Sequence, residues 1–236
     1  GNKTWQDNEK KLQFNIDNFK KFKDKIIYIP VEDLPGGDDP YLRENYQRNC
    51  IDRGIKDANE DDLIIISDLD EIPNPDKLKN FHPKSRYSVF KQKHFYYKIN
   101  LQSNANPFWF GSRICVKKYL KSPQWLRNLK FKKRPFWRLD KFRLNNIVED
   151  GGWHFCNLKS PEELLYKYQN LCETNDPYHF KEKIEEKFLD VSEIKKRIEK
   201  RQDIIGRADS FNKIELDASY PKYIINNLSK FDDWIS

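Results

Sequence analysis

Asp68 and Asp70 flank a single leucine in the stretch Asp61-Asp62-Leu63-Ile64-Ile65-Ile66-Ser67-Asp68-Leu69-Asp70-Glu71-Ile72-Pro73. In an extended segment alternate side chains share a face, so these two carboxylates would stand ~6–7 Å apart with Leu69 on the opposite side. Like charges held that close repel, and loss of water raises at least one pKa. A hard divalent cation, Mn²⁺ or Mg²⁺, removes the conflict by accepting one or two carboxylates together with phosphate oxygens. The chemistry on offer is a metal–diphosphate site. Alone, a D-x-D occurs in many acidic loops. The apolar run ahead of it, with Glu71 and Pro73 behind, gives this one its weight.

The elements that must position the motif follow from the flanking patterns. Leu63–Ile66 has no polar alternation, as expected of a strand buried on both faces of a parallel sheet. Ligands of open α/β sheets bind at the carboxyl ends of such strands. Upstream, Leu12, Ile16, Phe19 and Phe22 recur at helical spacing, and Ile26–Ile29 reads as a short strand ended by Pro30. A Pro-Gly-Gly-Asp-Asp-Pro loop then leads into a helix carrying Leu42, Tyr46 and Cys50. Strand, helix, strand in this order indicates an α/β layer architecture. Strands are expected at 87–90, 95–97, 108–110 and 114–116. Beyond Trp153-His154-Phe155 the chain turns helical. Ser160 and Glu163 form a capping box around Pro161. A longer helix carries Ile184, Phe188, Val191, Ile194 and Ile198, and a last one starts near Pro221.

The 236 residues favour one domain. Apolar residues make up only 37% and charged ones 34%, but aromatics reach 14% and each buries a large area. No apolar run approaches the ~20 residues needed to span a bilayer. Starting at Gly1 and holding no Met, the sequence reads as a trimmed piece. A cytoplasmic setting is favoured, with a membrane-anchored or Golgi-like one if a leader was removed. Cys50, Cys115, Cys156 and Cys172 are widely spaced, with no CxxC pair, and read as thiols rather than a zinc site or disulfide framework.

Net charge is +7, and its source is local: residues 117–143 hold 11 Lys/Arg against Asp140 alone, leaving the rest of the chain at −3. A solvated face is the simplest reading for most of these cations. One or two, Arg134 first, could face a leaving diphosphate; a grip on an anionic acceptor or a membrane surface is the third reading. Glu44 and Arg48 lie one helical turn apart, an exposed ion pair unless they serve the acidic turn. His154 is either a hydrogen-bonded core histidine or an imidazole offered to a metal. Glu149 and Asp150 read as loop carboxylates. The tryptophans are core first and sugar platforms second.

Arg43-Glu44-Asn45-Tyr46-Gln47-Arg48, Asp61-Asp62, Ser67–Pro73, Gly152-Trp153-His154 and Pro221-Lys222-Tyr223-Ile224 together resemble glycosyltransferase family 17, in order and approximate spacing, over most of the chain. That family includes the β-1,4-mannosyl-glycoprotein β-1,4-N-acetylglucosaminyltransferase. The resemblance implies an α/β, GT-A-like fold, a mixed sheet flanked by helices with a helical C-terminal part, as one domain over residues 1–236. It also implies a UDP-sugar donor, with UDP-GlcNAc expected, a divalent metal, inversion at the anomeric carbon, and a glycan or glycoconjugate acceptor. By position, Asp70 would ligate Mn²⁺ or Mg²⁺ directly and Asp68 would approach the ribose or a metal-bound water. Arg48 would stand near the nucleotide or brace the turn, and His154 would contact metal or substrate. Glu71 is the first choice as the base for the acceptor hydroxyl. The family pattern also carries a strand–helix–strand unit ahead of what corresponds to Asn2-Lys3-Thr4-Trp5, absent here, so full donor binding is expected to need more than these residues.

Two rivals stand beside this reading. Carboxylates near a basic surface also suit a metal-dependent nuclease or phosphotransferase, although no nucleic-acid partner is expected. A non-catalytic relative could retain the fold as a glycan-binding module. The oligomeric state is open.

Overall fold

The computed structural model describes residues 14–37, 39–79, 81, 86–130, 146–170 and 184–236. Among the described residues, eight strands form one sheet: β1 (Leu63–Ile66), β2 (Glu71–Pro73), β3 (Tyr87–Tyr96), β4 (Leu101–Ser103), β5 (Phe108–Trp109), β6 (Arg113–Val116), β7 (Asn146–Cys156) and β8 (Phe211–Lys213). The helices are α1 (Pro40–Asn49), α2 (Pro75–Leu78), α3 (Pro123–Asn128), α4 (Pro161–Asn170), α5 (Val191–Glu199) and α6 (Lys222–Ile225). Among the described residues, no helix is long and apolar enough to cross a membrane.

β3 organises the sheet. Val89, Phe90, Gln92 and Phe95 within it are wholly buried, as expected of a strand with neighbours along both edges. On one side it pairs antiparallel with β6, β5 and β4 in turn; on the other it runs parallel to β7, with a bulge between Phe90 and Gln92. β1 lies outside β6 and β2 outside β7, both antiparallel. Because β1 and β2 are joined by only four residues, Ser67–Asp70 must carry the chain from the outer side of β6 to the outer side of β7. The sheet therefore curls, and the acidic motif crosses over its middle. The architecture is mixed α/β, a curled mixed sheet flanked by helices.

Three expectations are corrected. β1 is not a parallel strand buried on both faces: it pairs antiparallel with β6, and its burial alternates, with Ile64 and Ile66 inside and Leu63 exposed. Ile64 and Ile66 pack into a cluster of Tyr87, Val89, Cys115, Leu126 and Leu129, while Ile65 on the other face is only partly buried, against Phe90, Ile114 and Val148. Ile26–Ile29 forms no strand among the described residues; Ile27 and Tyr28 stand in solvent, since a run of β-formers without a partner has no ladder to join. The predicted helix around Phe19 and Phe22 is a 3-10 helix, Ile16–Lys25, kinked at Phe19 and without a buried residue.

The expected helices match the structure better where a cap is written in the sequence. Ser160 and Glu163 exchange their hydrogen bonds at 2.9 and 3.2 Å at the start of α4. α5 begins later than the apolar spacing implies, at Val191, because Asp190 accepts from the Glu193 amide and caps it there. α6 is only four residues long, and 3-10 turns follow Asn226-Asn227. Cys50, Cys115 and Cys156 are thiols, as expected, and Cys172 lies outside the described residues.

Candidate functional site

At the carboxyl end of β1 the chain does not stay extended. The Glu71 amide donates to the Asp68 carbonyl at 3.0 Å, closing a β-turn with Leu69 and Asp70 at its corners. Leu69 is fully exposed, and the Asp70 carbonyl receives the Phe155 amide of β7 at 2.9 Å. The turn sends the two aspartates to different neighbours rather than onto one face.

Asp68 and Glu71 meet arginines. Ser122 caps α3 and Leu126 anchors it in the core beneath β1, which aims Arg127 at the turn. Its guanidinium donates to Asp68 Oδ2 at 2.6 Å and Glu71 Oε2 at 2.9 Å, and also to Glu71 Oε1. Arg48, near the end of α1, reaches Glu44 at 2.9 Å, Gln124 of α3 at 2.6 Å and Asp68 at 3.4 Å. It therefore braces the turn and pairs with Glu44 at once.

Glu71 is 4% exposed. Besides Arg127 it accepts from Trp109 Nε1 at 2.6 Å, the Asp68 amide at 3.1 Å and the Ser112 hydroxyl at 3.2 Å. Two carboxylate oxygens offer about four lone-pair sites, and five donors occupy them. Burial opposes its charge, but Arg127, Trp109 and the Asp68 amide outweigh it and hold the carboxyl below its ordinary value. An acceptor hydroxyl could reach these oxygens only by displacing Arg127 or Trp109. Gly111 lets the backbone pass over this knot: a Cβ there would lie 2.0 Å from Glu71 Oε1 and 2.2 Å from Trp109 Nε1.

Asp70 faces the other way. Its side chain is 39% exposed, and Oδ2 lies 3.3 Å from Nε2 of His154, which is buried in β7. Burial works against the Asp70 charge, but the His154 imidazole and more distant Lys167 outweigh it, so this carboxyl too sits below its ordinary value. One exposed carboxylate oxygen beside an imidazole nitrogen suits Mn²⁺ or a similar ion. Gly152, at φ +126, allows β7 to approach β2 just before His154. Behind His154 lies His94 of β3, its ring stacked 4.7 Å away at 12°.

A cleft of ≈ 540 Å³ opens beside the turn. Ile29, Val31, Ile51 and Ile55 supply its apolar wall, and Glu44, Arg48 and Asp68 its polar mouth.

Asp68, Asp70, Glu71, Arg48 and His154 thus come together around one turn. Arg134 lies outside the described residues. Sequence reasoning had counted Arg127 within a basic stretch and did not single out Ser112 or His94. The parallel register pairing His94 with His154 joins them, and nothing local announces it. Of the basic stretch, the described cations are largely engaged: Lys117 donates to the carbonyls of Lys56 and Ala58, and Lys118 pairs with Asp61 at 2.6 Å. Trp153 is core, and Trp125 packs edge-on against Tyr87.

Comparison with known proteins gives one result for the whole chain: the family model described as Glycosyltransferase family 17 matches residues 1–232. No curated protein and no solved structure matches.

Proposed function

The chain belongs to glycosyltransferase family 17, and from that membership together with the acidic turn we propose a metal-dependent, inverting transfer of GlcNAc from UDP-GlcNAc to a glycan hydroxyl. What carries the reading is Asp70, an exposed carboxylate held below its ordinary pKa against His154 at the carboxyl end of β1. The curled mixed sheet flanked by helices supports a GT-A-like assignment, and the position of the turn agrees with where α/β sheets receive ligands.

Asp70, with His154 beside it, would hold the cation. A divalent ion bound there supplies positive charge against the departing diphosphate. Asp68, fixed by Arg127 and Arg48, is presented to the cleft and would meet the ribose. The two guanidiniums keep positive charge within reach of the same region, where negative charge grows as UDP leaves. Arg134, on the same basic stretch, is a further candidate for the diphosphate.

Glu71 was the base expected from the sequence. Its five donors support a different part: it positions Arg127 and Trp109, and so the turn, while the acceptor proton goes to a carboxylate that solvent can reach. A positioning role predicts that Glu71→Gln disturbs donor KM and stability and leaves the shape of the kcat–pH profile unchanged.

Calorimetric titration of UDP with and without Mn²⁺ tests the core of the proposal. Binding should require the metal and disappear in Asp70→Asn. Equal UDP affinity in that variant, or without metal, would remove the role assigned to Asp70. Release of UDP from UDP-GlcNAc on adding glycan acceptors tests the transfer itself.

A further inference from the structure

On the inner side of the site, away from the acidic turn, three ligand-bearing side chains share one face of two adjacent strands. His94 and His154 stand opposite each other in the parallel β3–β7 register, and Cys156 lies two residues beyond His154, on the same face of β7. One donor atom from each lies within 4.8 Å of the other two.

The hydrogen bonds of the two imidazoles decide which nitrogens are left. His94 Nδ1 lies 3.1 Å from the Asn106 carbonyl; a carbonyl can only accept, so the proton sits on Nδ1 and Nε2 keeps a bare lone pair. His154 turns Nε2 toward Asp70, and the nitrogen left over is Nδ1. Both His94 Nε2 and His154 Nδ1 are buried without a hydrogen-bond partner among the described residues. Leaving such atoms unpaired costs free energy, and the pattern is that of metal-binding histidines, whose second nitrogen is oriented by a carbonyl or carboxylate.

We propose that His94, His154 and Cys156 form a site for a thiophilic metal ion, Zn²⁺ in the first instance, distinct from the Mn²⁺-type position at Asp70. Two imidazoles and a thiolate match zinc in both softness and number, with water as the fourth ligand. Tetrahedral Zn–N and Zn–S bonds bring ligand atoms to roughly 3.3–3.8 Å from one another, so the trio must close by about an ångström and the two imidazoles, stacked at 12°, must tilt out of parallel to aim both lone pairs at one ion. Binding displaces the Cys156 thiol proton to solvent as the Zn–S bond forms.

The binding does not depend on the transferase reading, but one consequence does. With His154 Nδ1 on zinc, the ring keeps its remaining proton on Nε2 and has no lone pair to offer a cation at Asp70. Zinc should then weaken Mn²⁺-dependent UDP binding.

Cobalt(II) titrated into chelator-stripped protein is the direct probe. A thiolate-to-cobalt charge-transfer absorption should grow to saturation at one ion per chain and be displaced by Zn²⁺. It should vanish in Cys156→Ser, and His94→Gln should weaken cobalt at least about tenfold. Circular dichroism confirms that each variant folds; if His94→Gln does not, Cys156→Ser, at a less buried position, decides alone. No such band in the native chain, or one that survives Cys156→Ser, overturns the site. If the band behaves as expected but UDP never binds, the zinc site stands and the transferase proposal falls.

Discussion

The acidic turn has two ends that use the same residue types in opposite ways. At the arginine end, Asp68 and Glu71 receive Arg127, Arg48, Trp109, Ser112 and a backbone amide, and the inner carboxylate has no lone pair left over. At the histidine end, Asp70 has one imidazole neighbour and open solvent, and behind it two buried nitrogens have no hydrogen-bond partner among the described residues. The saturated Glu71 is architecture, because its carboxylate is already stabilised by other parts of the protein, whereas Asp68 keeps an exposed edge toward the cleft. An unsatisfied group keeps its bonding capacity for something that arrives later. Identical carboxylates, two residues apart or adjacent in sequence, are sorted into these roles by what the neighbouring strands and α3 bring to them.

The contrast can be broken most directly at Glu71. Glu71→Ala would leave the Arg127 guanidinium, only 11% exposed, without its buried counter-charge and with the half-exposed Asp68 as its remaining partner. Removing one partner of a buried pair costs about 3–5 kcal/mol, read by chemical denaturation. Asp70→Ala should cost less than about 1 kcal/mol, since that carboxylate is already half in water. A reversal of the two values would end the division between structural and chemical acid.

Next in size is Gly111→Ala, whose methyl would fall inside contact distance of Glu71 and Trp109. Overpacking of this kind costs about 1–3 kcal/mol. An unchanged melting temperature would mean that the knot around Glu71 is looser than it looks.

The acid limb of stability sharpens the comparison further. Glu71 is held below its ordinary value of 4.5, so the folded state binds its proton less readily than the unfolded chain. Its contribution is complete above that ordinary value and is lost as pH falls through the lower folded one. Glu71→Gln should flatten the stability–pH curve on the acid side; a curve of unchanged slope would contradict the ion-pair account. Arg48→Ala should likewise cost only about 1 kcal/mol, because its Asp68 contact is 3.4 Å long and Glu44 is half exposed, which leaves the 2.6 Å hydrogen bond to Gln124 as the main loss.

Much of the local structure was legible. The Leu63–Ile66 run, the capping box at Ser160 and Glu163, and the strand signals at 87–90, 95–97 and 114–116 all announce themselves by residue type, although the first two of those signals belong to one strand, β3. Their partners were less legible. An unalternating apolar run looks equally buried on both faces, but β1 is covered unequally, with Ile64 and Ile66 inside one cluster and Ile65 only partly buried against another. Arg127 looks like its basic neighbours because charge runs carry no information about which member a helix will aim inward. His94 is a lone histidine in a strand until a residue 60 positions later is laid beside it.

The chain itself determined that two aspartates and a glutamate would follow an apolar strand, and which family that pattern marks. Tertiary structure decided what each acid does. A carboxylate's pKa and availability depend on donors brought from far along the chain, and those arrive only when the curled sheet sets β6, β3 and β7 side by side beneath the turn.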